Sequence, residues 1–311
     1  MTHQLPFPGI SPLLPSHIVN VASVPHRSPF RYPGGKTWLV PYIRRWLTTL
    51  PERPVELIEP FAGGAIVGLT VAFEKMANHV TLVELDDEVA TVWQTILSDD
   101  AEWLAQQVIE FELTRHRVEV LLARDPLNLR EKALITLIKN RVNRGGILAQ
   151  GAGMLKNGES GKGIASRWYP KTLHKRIMDI YKIRDRLTFI HGDGIEVIRH
   201  NAGRSNTAFF IDPPYTAAGK SAGRRLYTHW NLDHEELFQV TNELAGEFLL
   251  TYEDNAAIRE LTARYGFDTQ PVAMKNTHHA KMTELLIGRN LDWMREPKVN
   301  SHNILPERLG E

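Results

Sequence analysis

The apolar positions of this chain fall into short runs separated by turns, and the runs alternate between two periods. Val55-Glu56-Leu57-Ile58-Glu59 predicts a buried strand. Pro60-Phe61-Ala62-Gly63-Gly64 follows, and apolar positions from about Ala65 to Ala77 predict a helix. Val80 to Glu84 predicts a second strand and Asp86 to Leu97 a second helix. Strand, loop, helix and strand in that order open a doubly wound α/β sheet. From about 100 to 186 the pattern turns helical, with no strong strand; Leu134, Leu137, Ile138 and Val142 recur at helical spacing. A glycine-rich loop from Arg144 to Pro170 interrupts it, and Lys171 to Arg186 predicts another helix.

Alternation returns with Leu187 to Ile190, His191-Gly192-Asp193-Gly194, a short helix and the run Ala208-Phe209-Phe210-Ile211. Asp233 with Glu236 marks a helix start. Phe248-Leu249-Leu250 predicts a strand and Ala256 to Tyr265 a helix. Phe267 to Met274 and Thr283 to Ile287 then close the sheet as a hairpin. The expected architecture is α/β: a Rossmann-like sheet from residues 28–99 and 187–290, interrupted by a helical insert over 100–186. Residues 1–27, with Pro6, Pro8, Pro12, Pro15 and Pro25, read as a loosely ordered extension, and 291–311 as a tail. A length of 311 residues, 42% of them hydrophobic, suits one large α/β domain with such an insertion.

Charge adds a partner class. The net charge is +1, but its distribution is uneven. Between Lys139 and Arg186 twelve basic side chains face three acids, so the remainder of the chain is acidic. A basic middle in an acidic protein suits a polyanion. The absence of cysteine excludes disulfides, thiolate metal sites and cysteine nucleophiles. No apolar run reaches the length of a membrane span, and no secretion signal is present, so no membrane role and a cytoplasmic setting are expected.

The most telling chemistry is Asp212-Pro213-Pro214-Tyr215 at the end of an apolar run. Two prolines cannot continue a central strand, and they stiffen a turn at its carboxyl end, where open α/β sheets bind ligands. A carboxylate and a flat ring held there suit a planar group bearing an amine, such as a nucleobase. In Glu59-Pro60-Phe61-Ala62-Gly63-Gly64 the glycines allow close backbone approach to a ligand, without the dinucleotide fingerprint or a phosphate P-loop. Glu84, at the end of the next strand, is placed to accept from ribose hydroxyls, and Asp193 from an adenine amino group. Neither His191 nor His278-His279 has a third ligand at convincing spacing, so no metal is expected.

Phe30-Arg31-Tyr32-Pro33-Gly34-Gly35-Lys36, Phe61-Ala62-Gly63-Gly64, Glu84, Asn140-Arg141, Asp212–Tyr215 and Glu284-Leu285-Leu286-Ile287 occur in that order. Together they resemble the Dam-like D12-class DNA N6-adenine methyltransferases, of the α group in which the cofactor motif precedes the recognition segment and the catalytic tetrapeptide. The resemblance covers about residues 28–290. It implies a class I methyltransferase fold, S-adenosylmethionine as methyl donor, double-stranded DNA as partner and transfer to N6 of a flipped-out adenine. It places Tyr32, Lys36, Phe61, Gly63, Gly64, Glu84, Asp193 and Asp212 at the cofactor. Asp212, Pro213, Pro214 and Tyr215 are catalytic by the same comparison, and Arg31 reaches the DNA. Arg141, Arg144 and Arg167 of the insert, and Lys220, Arg224 and Arg225 of the loop after Tyr215, are the further candidate DNA contacts.

The Asn140–Gly146 stretch lacks the aromatic and asparagine residues that follow Asn-Arg in GATC-specific members, so the resemblance implies the reaction but not the recognition sequence. Such enzymes occur in bacterial or phage DNA methylation and in restriction-modification. A monomer is the simplest state and a dimer the alternative. Cytosine N4 or an RNA adenine as acceptor, and a DNA-binding regulator without catalysis, are the competing readings.

Overall fold

β1 (Glu56–Glu59), β2 (His79–Glu84), β3 (Leu187–His191), β4 (Thr207–Ile211), β5 (Glu247–Glu253), β6 (Asp268–Lys275) and β7 (Lys281–Gly288) make one sheet. Its order is β3-β2-β1-β4-β5-β7-β6 in a computed structural model that describes residues 24–158, 161–214, 228–229, 231–275 and 281–295. The first five strands are parallel. The expected hairpin is present, and β7 is its strand against β5, running antiparallel to it.

Side chains alternate across the sheet, as the two-residue period of a strand requires. Leu57, Leu82, Phe210, Leu249 and Leu286 enter one core. Ile58, Val83, Phe209, Leu250 and Ile287 enter the other. Burial on both faces explains why the strands read as continuous apolar runs.

The first core is covered by α1 (Val40–Thr49), α2 (Ile66–Glu74), α3 (Asp87–Ile96) and the insert. The sequence reading missed α1. Its buried residues Val40, Ile43, Trp46 and Leu47 have helical spacing, but Pro41, Arg44 and Arg45 break the run. Proline is tolerated in a first turn, where no intrahelical acceptor is needed. α2 is shorter than the expected 65–77, because Ala65 and Lys75 both take left-handed conformations and bound it. Asp86 caps α3 by accepting from the N–H groups of Glu88 and Val89.

The insert comprises α4 (Ala101–Glu110), α5 (Arg115–Leu122), α6 (Leu129–Val142) and α7 (Pro170–Lys182). α7 stops at Lys182, short of the expected Arg186, and a single tight turn over Arg184–Arg186 leads into β3. Leu104, Ala133, Leu137, Ile138 and Ile177 share one buried cluster with Val67, Leu69 and Trp93. The insert is thus fused to one face of the sheet through a continuous core.

α8 (Gly194–His200), α9 (His234–Asn242) and α10 (Ala256–Arg264) cover the second core. Asp233 caps α9 by accepting from Glu236 N–H, the pairing read from the sequence. Both ends of the described chain are packed. Val24 is buried, and Arg27 lies over the Phe73 ring with Glu74 beside it. At the far end Leu291 and Trp293 are buried next to α11 (Asp292–Arg295). Among the described residues no helix is long and apolar enough to cross a membrane.

Candidate active site

β1 and β4 are neighbours, and the chain order departs in opposite directions from them. Open α/β sheets form their ligand crevice at such a point, outside the carboxyl ends of the strands. A cavity of about 700 Å³ opens there, lined by residues that leave β1, β2 and β4 and by the insert.

Asp212 follows β4 directly. The register that pairs Ile211 with Leu250 sets it beside Thr251 of β5. The Thr251 hydroxyl donates to Asp212 Oδ1 at 2.7 Å. Lys36 Nζ lies 3.0 Å from the same oxygen and 3.6 Å from Glu284 Oε1 on β7. It also donates to the Gly34 carbonyl at 3.1 Å. Lys36 is only 3% exposed. Burial pulls its ammonium down, but the two carboxylates outweigh burial and hold it above the ordinary lysine range. The carboxylate of Asp212 is therefore fixed by a hydroxyl and a buried cation. Pro213 and Pro214 continue from it along the cavity wall.

The glycine loop forms the neighbouring wall. Gly63 has φ +47°, and a Cβ there would come within 2.5 Å of the Tyr32 ring, so the ring lies directly on the turn. Gly63 N–H donates to Glu84 Oε2 at 2.8 Å, and Asp86 N–H to Glu84 Oε1 at 2.8 Å. Trp93 fastens the turn from behind, donating from its indole to the Gly63 carbonyl at 2.9 Å. Burial pushes the Glu84 carboxyl up to about 7, against the pull of its backbone donors. Glu59 is buried and accepts from Gly68 N–H at 2.7 Å; burial holds its pKa well above the carboxylate range. Phe61 and Asp193 complete this wall, with Asp193 capping α8 through Ile195 N–H.

Of the candidate DNA contacts, Arg31, Arg141 and Arg167 line the cavity, and Arg144 is exposed outside its lining. Arg141 is turned inward: its Nη2 donates to the Pro29 carbonyl. Asn140 clasps the backbone of Arg31, accepting from its N–H at 2.9 Å and donating to its carbonyl at 2.9 Å. Gly146 passes so close that a Cβ would stand 2.1 Å from the Arg31 carbonyl. Asn140-Arg141 and the glycines after it thus fasten the segment that carries Arg31 and Tyr32. Tyr215, Lys220, Arg224 and Arg225 lie outside the described residues.

Sequence reasoning passed over Thr251, the pairing of Glu284 with Lys36, and Arg176 and Tyr169 of the insert, which also line the cavity. Nothing local marks Thr251, whose place follows from strand register. Arg176 was visible only as a member of a basic, helical stretch, and Tyr169 only as part of the glycine-rich loop before it.

This geometry is that of a Rossmann-like α/β protein with a ligand crevice at its central switch point. The family profile described as D12 class N6 adenine-specific DNA methyltransferase matches residues 32–275. The chain belongs to that family, and it is a methyltransferase that uses S-adenosylmethionine. No curated protein matches it in sequence. Among solved structures, the rRNA methyltransferase aviRa of Streptomyces viridochromogenes is 14% identical, with 85% of this chain and 88% of that chain covered and a TM-score of 0.38. The tRNA methyltransferase TrmK of B. subtilis is 13% identical, with 81% and 67% covered and a TM-score of 0.35.

The crevice fits the methyl donor. Gly63 and Gly64 leave room for the Tyr32 ring to pack on the turn, and Tyr32, Gly64 and Glu84 face the cavity together. Asp212 and the ionised form of Glu84 suit a positively charged sulfonium.

Glu84 gives a proton-linked test. Hydroxyl donors or a cation reaching its carboxylate favour the ionised form and lower its pKa from about 7. Binding of S-adenosylmethionine just below pH 7 is therefore expected to release a large fraction of one proton, measured by calorimetry in buffers of different ionisation enthalpy. Glu84→Gln is expected to release none. In the ligand-free chain the raised pKa means the fold binds this proton more tightly than the unfolded chain. Its contribution to stability thus falls as pH rises from the ordinary carboxylate value towards 7.

Proposed function

We propose that the protein methylates N6 of an adenine that it extrudes from double-stranded DNA. The observation that carries this reading is the Asp212 carboxylate, fixed by Lys36 and Thr251 in a crevice that Tyr32, Gly64 and Glu84 also line. The adenine amino group is buried in base pairing, so the base must leave the stack, at a cost of a few kcal/mol. Arg31 and the basic insert receive the duplex, and Tyr215 stacks on the extruded base.

S-adenosylmethionine supplies an electrophilic sulfonium methyl when bound. Glu84 would hold its ribose and Asp193 its adenine, with Tyr32 and the Phe61, Gly63 and Gly64 loop beneath it. Asp212 and the Pro213 carbonyl accept hydrogen bonds from the two N6 hydrogens, and one of those protons leaves through Asp212 once N6 carries the methyl group. An adenine amine is a weak nucleophile because its lone pair is delocalised into the ring. Two aligned acceptors draw the nitrogen towards a pyramid and stabilise the positive charge that grows on it. Holding donor and acceptor in line supplies further acceleration. Asp212 performs this without reorganisation, because Lys36 and Thr251 have already oriented it.

The test is chemical. Duplex DNA and RNA are each incubated with the protein and isotope-labelled S-adenosylmethionine, then digested to nucleosides for mass analysis. Label in N6-methyldeoxyadenosine is expected. Label in N4-methyldeoxycytidine, or in methyladenosine from RNA alone, would replace this reading with one of its rivals.

A further inference from the structure

Consecutive residues of β5 hold two distant points of the chain. The Thr251 hydroxyl donates to Asp212 Oδ1 at 2.7 Å, and the Tyr252 hydroxyl is hydrogen-bonded to His234 Nδ1 at 2.8 Å. Successive side chains of a strand point to opposite faces, so the two act from the two sides of the sheet. Asp212 is where the chain leaves β4, and His234 is the first residue of α9. The two ends of the intervening stretch are therefore fastened side by side. Thr228, His229, Asn231 and Leu232, just ahead of His234, line the cavity together with Asp212.

Tyr252 is fully buried in the second core, its ring centroid 5.7 Å from that of Phe238. A phenylalanine would serve that packing, and a buried hydroxyl costs stability unless it is hydrogen-bonded. His234 supplies the bond and meets the ring edge-on, the centroids 5.5 Å apart. Burial and then the charge of Asp212 raise the Tyr252 phenol well above its ordinary range, and burial lowers His234 against the pull of Asp233. A neutral hydroxyl therefore meets a neutral ring at neutral pH. The bond is not needed to hold α9. Asp233 already caps that helix, and Leu237, Phe238 and Val240 bury it against the sheet. What the bond adds is a fixed place for the residues just before α9, on the cavity wall.

We propose that Tyr252 and His234 are positioning residues for methyl transfer: with Thr251 they clasp both ends of the stretch from Asp212 to His234 on adjacent residues of β5, and so fix Thr228, His229, Asn231 and Leu232 relative to the Asp212 carboxylate. This rests on the reading of Asp212 as the acceptor for the amine. Neither Tyr252 nor His234 lines the cavity, so the pair acts through the wall it holds. Loss of the bond leaves Asp212 on Thr251 and Lys36 but frees that part of the wall to shift. A misplacement of about 1 Å can cost about 10²-fold in rate.

The test uses the full chain. It measures methyl transfer to duplex DNA at saturating S-adenosylmethionine, and S-adenosylhomocysteine affinity by calorimetry. Tyr252→Phe keeps the ring and removes the bond. It is expected to lower kcat about tenfold and to leave S-adenosylhomocysteine affinity unchanged. His234→Ala is expected to match it, and the double variant to lose no more than either single one, since one bond serves both. His234→Asn, whose amide ends where Nδ1 stands, is expected to recover most of the rate; His234→Gln, whose amide ends beyond it, is not. A lowered melting temperature in Tyr252→Phe with kcat intact overturns the proposal and leaves the pair a packing feature. So do losses that multiply in the double variant, and so does a large loss of S-adenosylhomocysteine affinity. Failure of the Asp212 reading shows separately, as near-natural turnover in Asp212→Ala. A natural chain that labels RNA and not duplex DNA overturns the DNA reading alone, and the same variants compared on that RNA decide the clasp by the same fall in kcat.

Discussion

Asp212→Ala is expected to bind S-adenosylmethionine and DNA but to transfer methyl groups at least about 10³-fold more slowly than the natural chain. The methyl side chain removes the acceptor on which the growing charge of the amine depends. Asp212→Asn separates the two properties of that acceptor. It keeps an oxygen at the same place and can still accept from Thr251, but it brings no charge. Its rate is expected to fall between the two. Filter-bound counts from labelled methyl groups give the rates, and calorimetry checks that the cofactor still binds. A rate within tenfold of the natural chain for Asp212→Ala would mean that another group accepts the N6 hydrogens.

Lys36→Met carries the second large effect. The substitution is close in volume but leaves Asp212 and Glu284 facing each other without the cation that holds both. Breaking a buried ion pair from one side costs roughly 3–5 kcal/mol, because the partner charge stays behind. A melting temperature lower by several degrees is expected, together with loss of turnover as the Asp212 carboxylate loses its second holder. Lys36→Met with Glu284→Gln is expected to recover part of the stability, since one of the stranded charges goes too. Additive losses in that double variant would show that Glu284 and Lys36 do not act as a pair.

The pH dependence gives an independent reading of the same cation. The folded Lys36 titrates above its unfolded value, so its stabilisation is complete below the ordinary lysine pKa of about 10.4 and is lost as pH rises beyond it. Thermal melts carried from neutral to about pH 11 are expected to show that alkaline loss in the natural chain and a smaller one in Lys36→Met.

The parts legible in the sequence were those that local pattern governs. The runs at 55–59, 80–84, 208–211 and 248–250 are strands because their residues are buried on both faces, and such burial writes itself as continuous apolarity. Asp86 and Asp233 could be read as helix starts because a cap needs only its own helix. α1 was hidden by charged residues on its outer face, although its apolar spacing was present. The partners of Asp212 were not legible at all. Lys36 precedes it by most of the length of the fold, Thr251 comes from the neighbouring strand and Glu284 from the strand beyond. Such meetings are fixed by strand order and register, which no single segment records. Arg141 shows the reverse limit: a basic residue in a basic stretch reads as a candidate DNA contact, yet among the described residues it is one of the most buried charges.

The fastening of residues 28–31 has a consequence for how the chain acquires its site. Asn140 grips Arg31 across 109 positions, Arg141 reaches Pro29 across 112, and Arg176 reaches Ser28 across 148. Contacts of such separation close large loops, and they form late relative to local structure. On a ribosome the cofactor segment emerges early, but its fasteners arrive only once α6 and α7 have been made. Phe30 and Tyr32 can meet Trp93 and the Gly63 turn earlier, but until then the backbone of residues 28–31 has no partners and the nascent chain carries an unfinished crevice. Methyl-donor binding should therefore begin abruptly with chain length, at the point where α7 and then β4 clear the exit tunnel.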